Sequence, residues 1–120
     1  MMTYSEAIRL GSMLYPQTRA VYFDGTATCA NGAAFAAISE LLVTTDPEEI
    51  FKTLGRVFPI FNESTECRCG CGFKASHLLG EIVQHLNDRH RWTYNQIADF
   101  VELKEKTFEE KLENVLIEKF

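Results

Sequence analysis

The sequence has no apolar run approaching the roughly 18 residues that a membrane-spanning helix requires. Its opening, MMTYSEAIRLG, has neither the basic start nor the apolar stretch of a secretion signal. The expectation is a cytoplasmic protein with no membrane partner. An excess of basic charge is also missing. Seventeen acidic and twelve basic side chains leave −5 at neutral pH, the wrong sign for a protein that wraps nucleic acid with its whole surface. The usual catalytic signatures are absent as well: no Gly-rich phosphate loop, no Gly-x-Ser-x-Gly elbow, no His-Glu-x-x-His, and no His-x-Glu followed by Pro-Cys-x-x-Cys. An enzyme is therefore not expected. There is no Cys-x-x-Cys of the thioredoxin kind, no low-complexity tract and no repeat with a period of 20–50 residues.

What is present suits one packed domain over residues 1–120, with 46% hydrophobic residues and 24% charged ones. Thr3 and Glu6 form a capping box that opens a helix ending before Pro16, with Tyr4, Ala7, Ile8, Gly11 and Leu14 on its buried stripe. Arg19–Phe23 and Thr26–Cys29 flank Asp24-Gly25, a tight-turn signal that predicts a short β-hairpin. A nearly polar-free helix follows from Asn31 to about Val43, at the centre of the domain. Asp46-Pro47-Glu48-Glu49 caps a third, short helix that stops at Gly55. Val57–Phe61 contains proline and reads as an extended connector or edge strand. Later helices are expected from His77 to about Asp88, from the Thr93/Gln96 capping box, and from a further box at Thr107/Glu110. Cys29 reads as a small core residue. The fold class is mostly α with a minor β part (α+β): a helical part with the hairpin in 1–62, a zinc-finger-like module in 63–92, and C-terminal helices in 93–120.

The chemically specific stretch is Cys67-Arg-Cys69-Gly-Cys71-Gly-Phe73, followed by His85-Leu-Asn-Asp-Arg-His90. A structural zinc takes four tetrahedral ligands, commonly two thiolates from a turn and two imidazoles from a helix. Thirteen residues separate Cys71 from His85 and four separate His85 from His90, close to the Cys2His2 spacing of about twelve and then three to five. Zinc is thus the expected cofactor, with His85, His90 and two of the three cysteines as ligands. Cys67 and Cys71 match the usual gap, and Cys69 competes with them. Ile82 can form a miniature core with Phe73. A full set of four protein ligands describes a closed, structural site. A zinc hydrolase would need an open position, with Glu81 one turn from His85 as its base.

In a base-reading finger the helix positions −1, 3 and 6 meet the bases. Counted back from His85 these are Leu78, Glu81 and Gln84, and only Gln84 has the chemistry of a common base contact. The charge is nevertheless uneven: residues 1–66 carry −4, residues 67–98 carry +2 and residues 99–120 carry −3. Arg68, Lys74, Arg89 and Arg91, with the aromatic Trp92, form a modest basic zone that could touch phosphate and stack on a base.

Ser5-Glu-Ala-Ile-Arg with Gly11, Cys29-Ala-x-Gly-Ala-Ala, the cysteine cluster, and above all His85-Leu-Asn-Asp-Arg-His90-Arg-Trp92-Thr-x-x-Gln-Ile-Ala-Asp-Phe100 resemble small zinc-binding proteins encoded by tailed bacteriophages and prophages. The resemblance touches most of residues 5–103, and its distinctive part is His-Leu-Asn-Asp-x-His-x-Trp-Ser/Thr. It implies a virus-encoded accessory protein of the host cytoplasm and adds weight to His85 and His90 as ligands, without implying an activity. The expected function is a zinc-stabilised, non-enzymatic module that binds a host or viral protein, with a nucleic-acid-binding regulator as the alternative. Phe108, Leu112, Val115, Leu116 and Phe120 recur at helical spacing and supply either core packing or a surface for a partner or for self-association.

Overall fold

The computed structural model describes residues 2–18, 28–39, 46–65 and 77–119, with His77 and residues 114–119 as backbone only. The described residues are mostly helical. Helix α1 (Tyr4–Leu14) opens on the expected box: Glu6 N–H donates to Thr3 Oγ1 at 3.2 Å and Thr3 N–H to Glu6 Oε1 at 3.3 Å. Tyr4, Ala7, Ile8 and Gly11 are buried, whereas Leu14 faces solvent. Helix α2 (Ala30–Ser39) is buried from Ala30 to Ala36 without interruption, as expected of a central helix. It lies so close to α1 that a β-carbon at Gly11 would overlap the Ala33 backbone.

Helix α3 (Pro47–Val57) is capped by Asp46, whose Oδ1 accepts from Glu48 N–H at 3.1 Å, and it runs through Gly55 for two further residues. The proline-containing stretch is not extended. Pro59–Asn62 forms a 3-10 turn, for which proline's fixed φ is well suited at the first position. This turn buries Ile60 and Phe61, and Phe61 lies across Gly80 where any side chain would collide with its ring. Strands β1 (Ser64–Thr65) and β2 (His77–Leu78) pair antiparallel, with Thr65 opposite His77. Helix α4 (Leu79–Asp88) starts two residues later than the pattern predicted, because His77 and Leu78 belong to β2.

Helix α5 (Tyr94–Lys119) is a single element of 26 residues. The second start expected at Thr107 does not occur: the Thr107 hydroxyl donates back to the Leu103 carbonyl at 3.3 Å, satisfying itself inside a continuous helix. The core gathers Tyr4, Ile8, Phe35, Leu54, Phe61, Ile82, Leu86, Ile97 and Val101, with all five helices contributing. The Arg9 guanidinium ties α1 to α5 through Asp99 (2.6 Å) and Glu102 (3.3 Å). The predicted hairpin lies largely outside the described residues. At its edges Gln17 and Thr28 meet in a parallel bridge. No described helix is long and apolar enough to cross a membrane.

Candidate metal centre

Helix α4 buries Leu79, Ile82, Val83 and Leu86, which leaves His85 on its flank in the last turn. The helix closes with Arg89 N–H donating to the His85 carbonyl at 2.8 Å. Two residues on, Arg91 takes a left-handed backbone at φ 55°, and Trp92 N–H reaches back to the Leu86 carbonyl at 3.1 Å. This return holds His90 against His85. Their Nε2 atoms are 3.1 Å apart, with ring centroids at 4.7 Å and planes at 79°.

Two nitrogens bound to one zinc at tetrahedral angles stand about 3.3 Å apart. The separation of the pair is close to that distance. In the absence of metal the same geometry serves as a single N–H···N hydrogen bond. Among the described residues no group of three or more His, Cys, Asp and Glu side chains gathers around a point. Cys67, Cys69 and Cys71 lie outside the described residues, as do Arg68, Phe73 and Lys74. Their place in the chain is nevertheless bounded, because β1 and β2 bring residues 65 and 77 side by side. The order is strand, cysteine-bearing segment, strand, and a helix with His85 in its last turn and His90 just past its end.

Of the predicted basic zone, Arg89 and Arg91 are exposed. Trp92 is half-buried and edge-on to Phe100, 6.1 Å between centroids, so its ring is part of the α5 packing. The nominal base-reading positions are otherwise engaged. Glu81 Oε1 accepts from Leu78 N–H at 3.1 Å as half a capping box. Gln84 Oε1 accepts from Asn31 Nδ2 at 3.2 Å and from the Cys29 thiol at 3.5 Å, while its Nε2 donates to Asp88 at 2.7 Å.

Behind the histidines lies a buried polar network that sequence reasoning missed. Asn87, fully buried, accepts from Ala30 N–H (3.1 Å) and Gln17 Nε2 (2.7 Å) and donates to the Thr18 carbonyl (3.0 Å) and Asp88 (2.8 Å). Gln17 also donates to the Trp92 carbonyl at 2.7 Å and accepts from Tyr94 N–H at 3.1 Å. Asn31 accepts from the Tyr4 hydroxyl and donates to the Gly80 carbonyl at 3.1 Å. The Tyr94 hydroxyl meets the Thr28 hydroxyl at 2.7 Å, and burial pushes it up to about 12. Cys29, buried as expected, is pushed up to about 11 by the same cause, so it remains a thiol. The available signal was an asparagine inside the apolar run Cys29–Phe35, and another directly between Leu86 and Asp88.

No family model, curated protein or solved structure matches this chain.

Proposed function

We propose that this chain is a zinc-stabilised, non-enzymatic binding module of the phage accessory type, working in the host cytoplasm by engaging another protein. The observation that carries the reading is the pair of imidazole nitrogens 3.1 Å apart, set at the end of a strand-strand-helix order whose connecting segment holds three cysteines. That order is the order of a Cys2His2 finger. His85 and His90 would supply two neutral nitrogen donors, with Cys67 and Cys71, or Cys69 in place of one of them, as the thiolates. Zinc bound this way supplies folding free energy, about 10–16 kcal/mol in small finger peptides, and no open position for chemistry. A protein partner is favoured over bases because Gln84 is committed inward and the chain is acidic.

Metal analysis of the purified protein tests the foundation. One zinc per chain, with an absorption spectrum of two nitrogens and two sulfurs and no bound water, is the expected result. His85→Ala and Cys71→Ser should each abolish stoichiometric zinc, and a parent chain without zinc would end the proposal. The nucleic-acid alternative draws on the exposed Arg89 and Arg91 beside His90. It requires binding of short DNA or RNA at low salt, where phosphate contacts are strongest.

A further inference from the structure

The start of α1, the α3 to 3-10 corner and α5 line an open apolar groove of about 270 Å³. Met2, Val57, Phe58, Pro59, Phe108 and Leu112 line it. Two of these lie partly in water: Val57 is 42% and Leu112 49% exposed.

The charged residues of α5 that line the groove are both acidic, and Lys106, which follows Glu105 in the chain, is not among its lining residues. Glu105 and Glu109 stand on the rim, and Glu113 continues the same i, i+4 ridge, parallel to the apolar ridge of Phe108 and Leu112. Lys104 and Lys111 face a different hollow, shared with Glu63, Thr65 and Leu79. Among the described residues the three glutamates have no ion-pair partner. Like charges at i, i+4 destabilise a helix by some tenths of a kcal/mol per pair, so this ridge gains when a cation docks beside it. An apolar floor with a one-sided acidic wall matches a segment with the complementary split.

We infer that this groove receives an amphipathic helical segment of a partner protein, its apolar side chains against Phe108 and Leu112 and its lysines or arginines against Glu105, Glu109 and Glu113. The inference rests on the protein-binding half of the proposed function and names the surface and partner chemistry. It uses none of the expected zinc ligands, so its failure and the failure of the metal reading are separate results.

The test is fluorescence anisotropy with two labelled model peptides added to the full chain as purified. One is a leucine/lysine amphipathic helix, and the other has every lysine replaced by glutamate. The first should bind with a dissociation constant on the order of 10 µM and the second at least about tenfold more weakly. Leu112→Asp, and separately Val57→Asp, should weaken the first peptide about tenfold, and E105K/E109K should invert the preference. Glu49→Lys on α3 is the control for general charge attraction and should change affinity by less than about twofold. Equal binding of the two peptides, indifference to both groove variants, or an equal effect of Glu49→Lys would overturn the inference. A dimer in sedimentation equilibrium that Leu112→Asp dissolves would put a second copy in the groove and overturn it as well.

Discussion

Gly11 of α1 lies against the backbone of Ala33 in α2, close enough that a β-carbon would overlap the Ala33 carbonyl oxygen. A backbone carbonyl cannot rotate aside as a side chain can, so Gly11→Ala must push the two helices apart. The expected cost is about 3 kcal/mol. Gly55 is the contrast: a β-carbon there meets only the Asn62 amide, at 2.9 Å from its Oδ1. Alanine's better helix propensity offsets that contact, and Gly55→Ala should stay within about 0.5 kcal/mol of the parent. Urea denaturation of both variants measures the difference.

Replacement of Asn87 strands several buried groups at once. In Asn87→Ala the buried Ala30 N–H loses its acceptor and the half-buried Thr18 carbonyl its donor. A loss of about 3 kcal/mol is expected. Tyr94→Phe removes only a hydroxyl and should cost about 1–2 kcal/mol. Because Gln17 Nε2 donates to Asn87 Oδ1, Asn87→Ala combined with Gln17→Ala should lose less than the two single losses together. A double-mutant cycle in urea tests that coupling.

Chelation of metal should be visible in the single tryptophan. Trp92 is joined to the histidine turn by its N–H on Leu86 and to the remote Gln17 by its carbonyl. If the proposed zinc is bound here, its removal leaves only the single His85–His90 hydrogen bond to hold the turn, which slackens this return. EDTA should shift Trp92 emission to longer wavelength and lower the thermal midpoint, and His85→Ala should reproduce both effects without chelator. An unchanged spectrum in a protein shown to have lost its zinc would contradict the link.

Alkaline pH should weaken the fold. Burial lifts Cys29 from 9.0 to about 11 and Tyr94 from 10.0 to about 12, so the folded chain keeps both protons where the unfolded chain releases them. The native state then binds more protons than the unfolded state between pH 9 and 12, and stability falls with rising pH across that window. Below pH 9 neither group contributes a slope. Cys29→Ala should flatten the first part of the fall, from pH 9 to 11, as read from urea midpoints. The same burial should make Cys29 unreactive toward iodoacetamide until the protein unfolds.

The parts of the fold legible in the sequence were those fixed by neighbours in the chain. Thr3 with Glu6, Asp46 with Pro47, and Thr93 with Gln96 satisfy their own backbone donors, and each opens a helix where its pattern stands. Thr107 with Glu110 has the same pattern and fails, because the packing of Phe108 against the core carries α5 through it. The proline in Val57–Phe61 predicts an extended connector or edge strand, yet Pro59 starts a turn, a choice made by the burial of Ile60 and Phe61. At the site, the five-residue spacing of His85 and His90 announced their meeting. The amide network was not legible, since Asn87 takes its partners from residues 17, 18 and 30, and no local rule joins those positions.

The unbroken burial of Ala30–Ala36 has a consequence for the order in which the chain is made. The helix partners that cover this segment include α4, whose Gly80, Gln84 and Asn87 bond directly to its first two residues. Asn87 follows Ala36 by about fifty residues, so at typical synthesis rates of about 5–20 residues per second this apolar helix, already backed by α1, waits several seconds for the α4 part of its cover. Slowing translation between codons 37 and 87 should therefore raise the aggregated fraction, while slowing it after codon 101 should not.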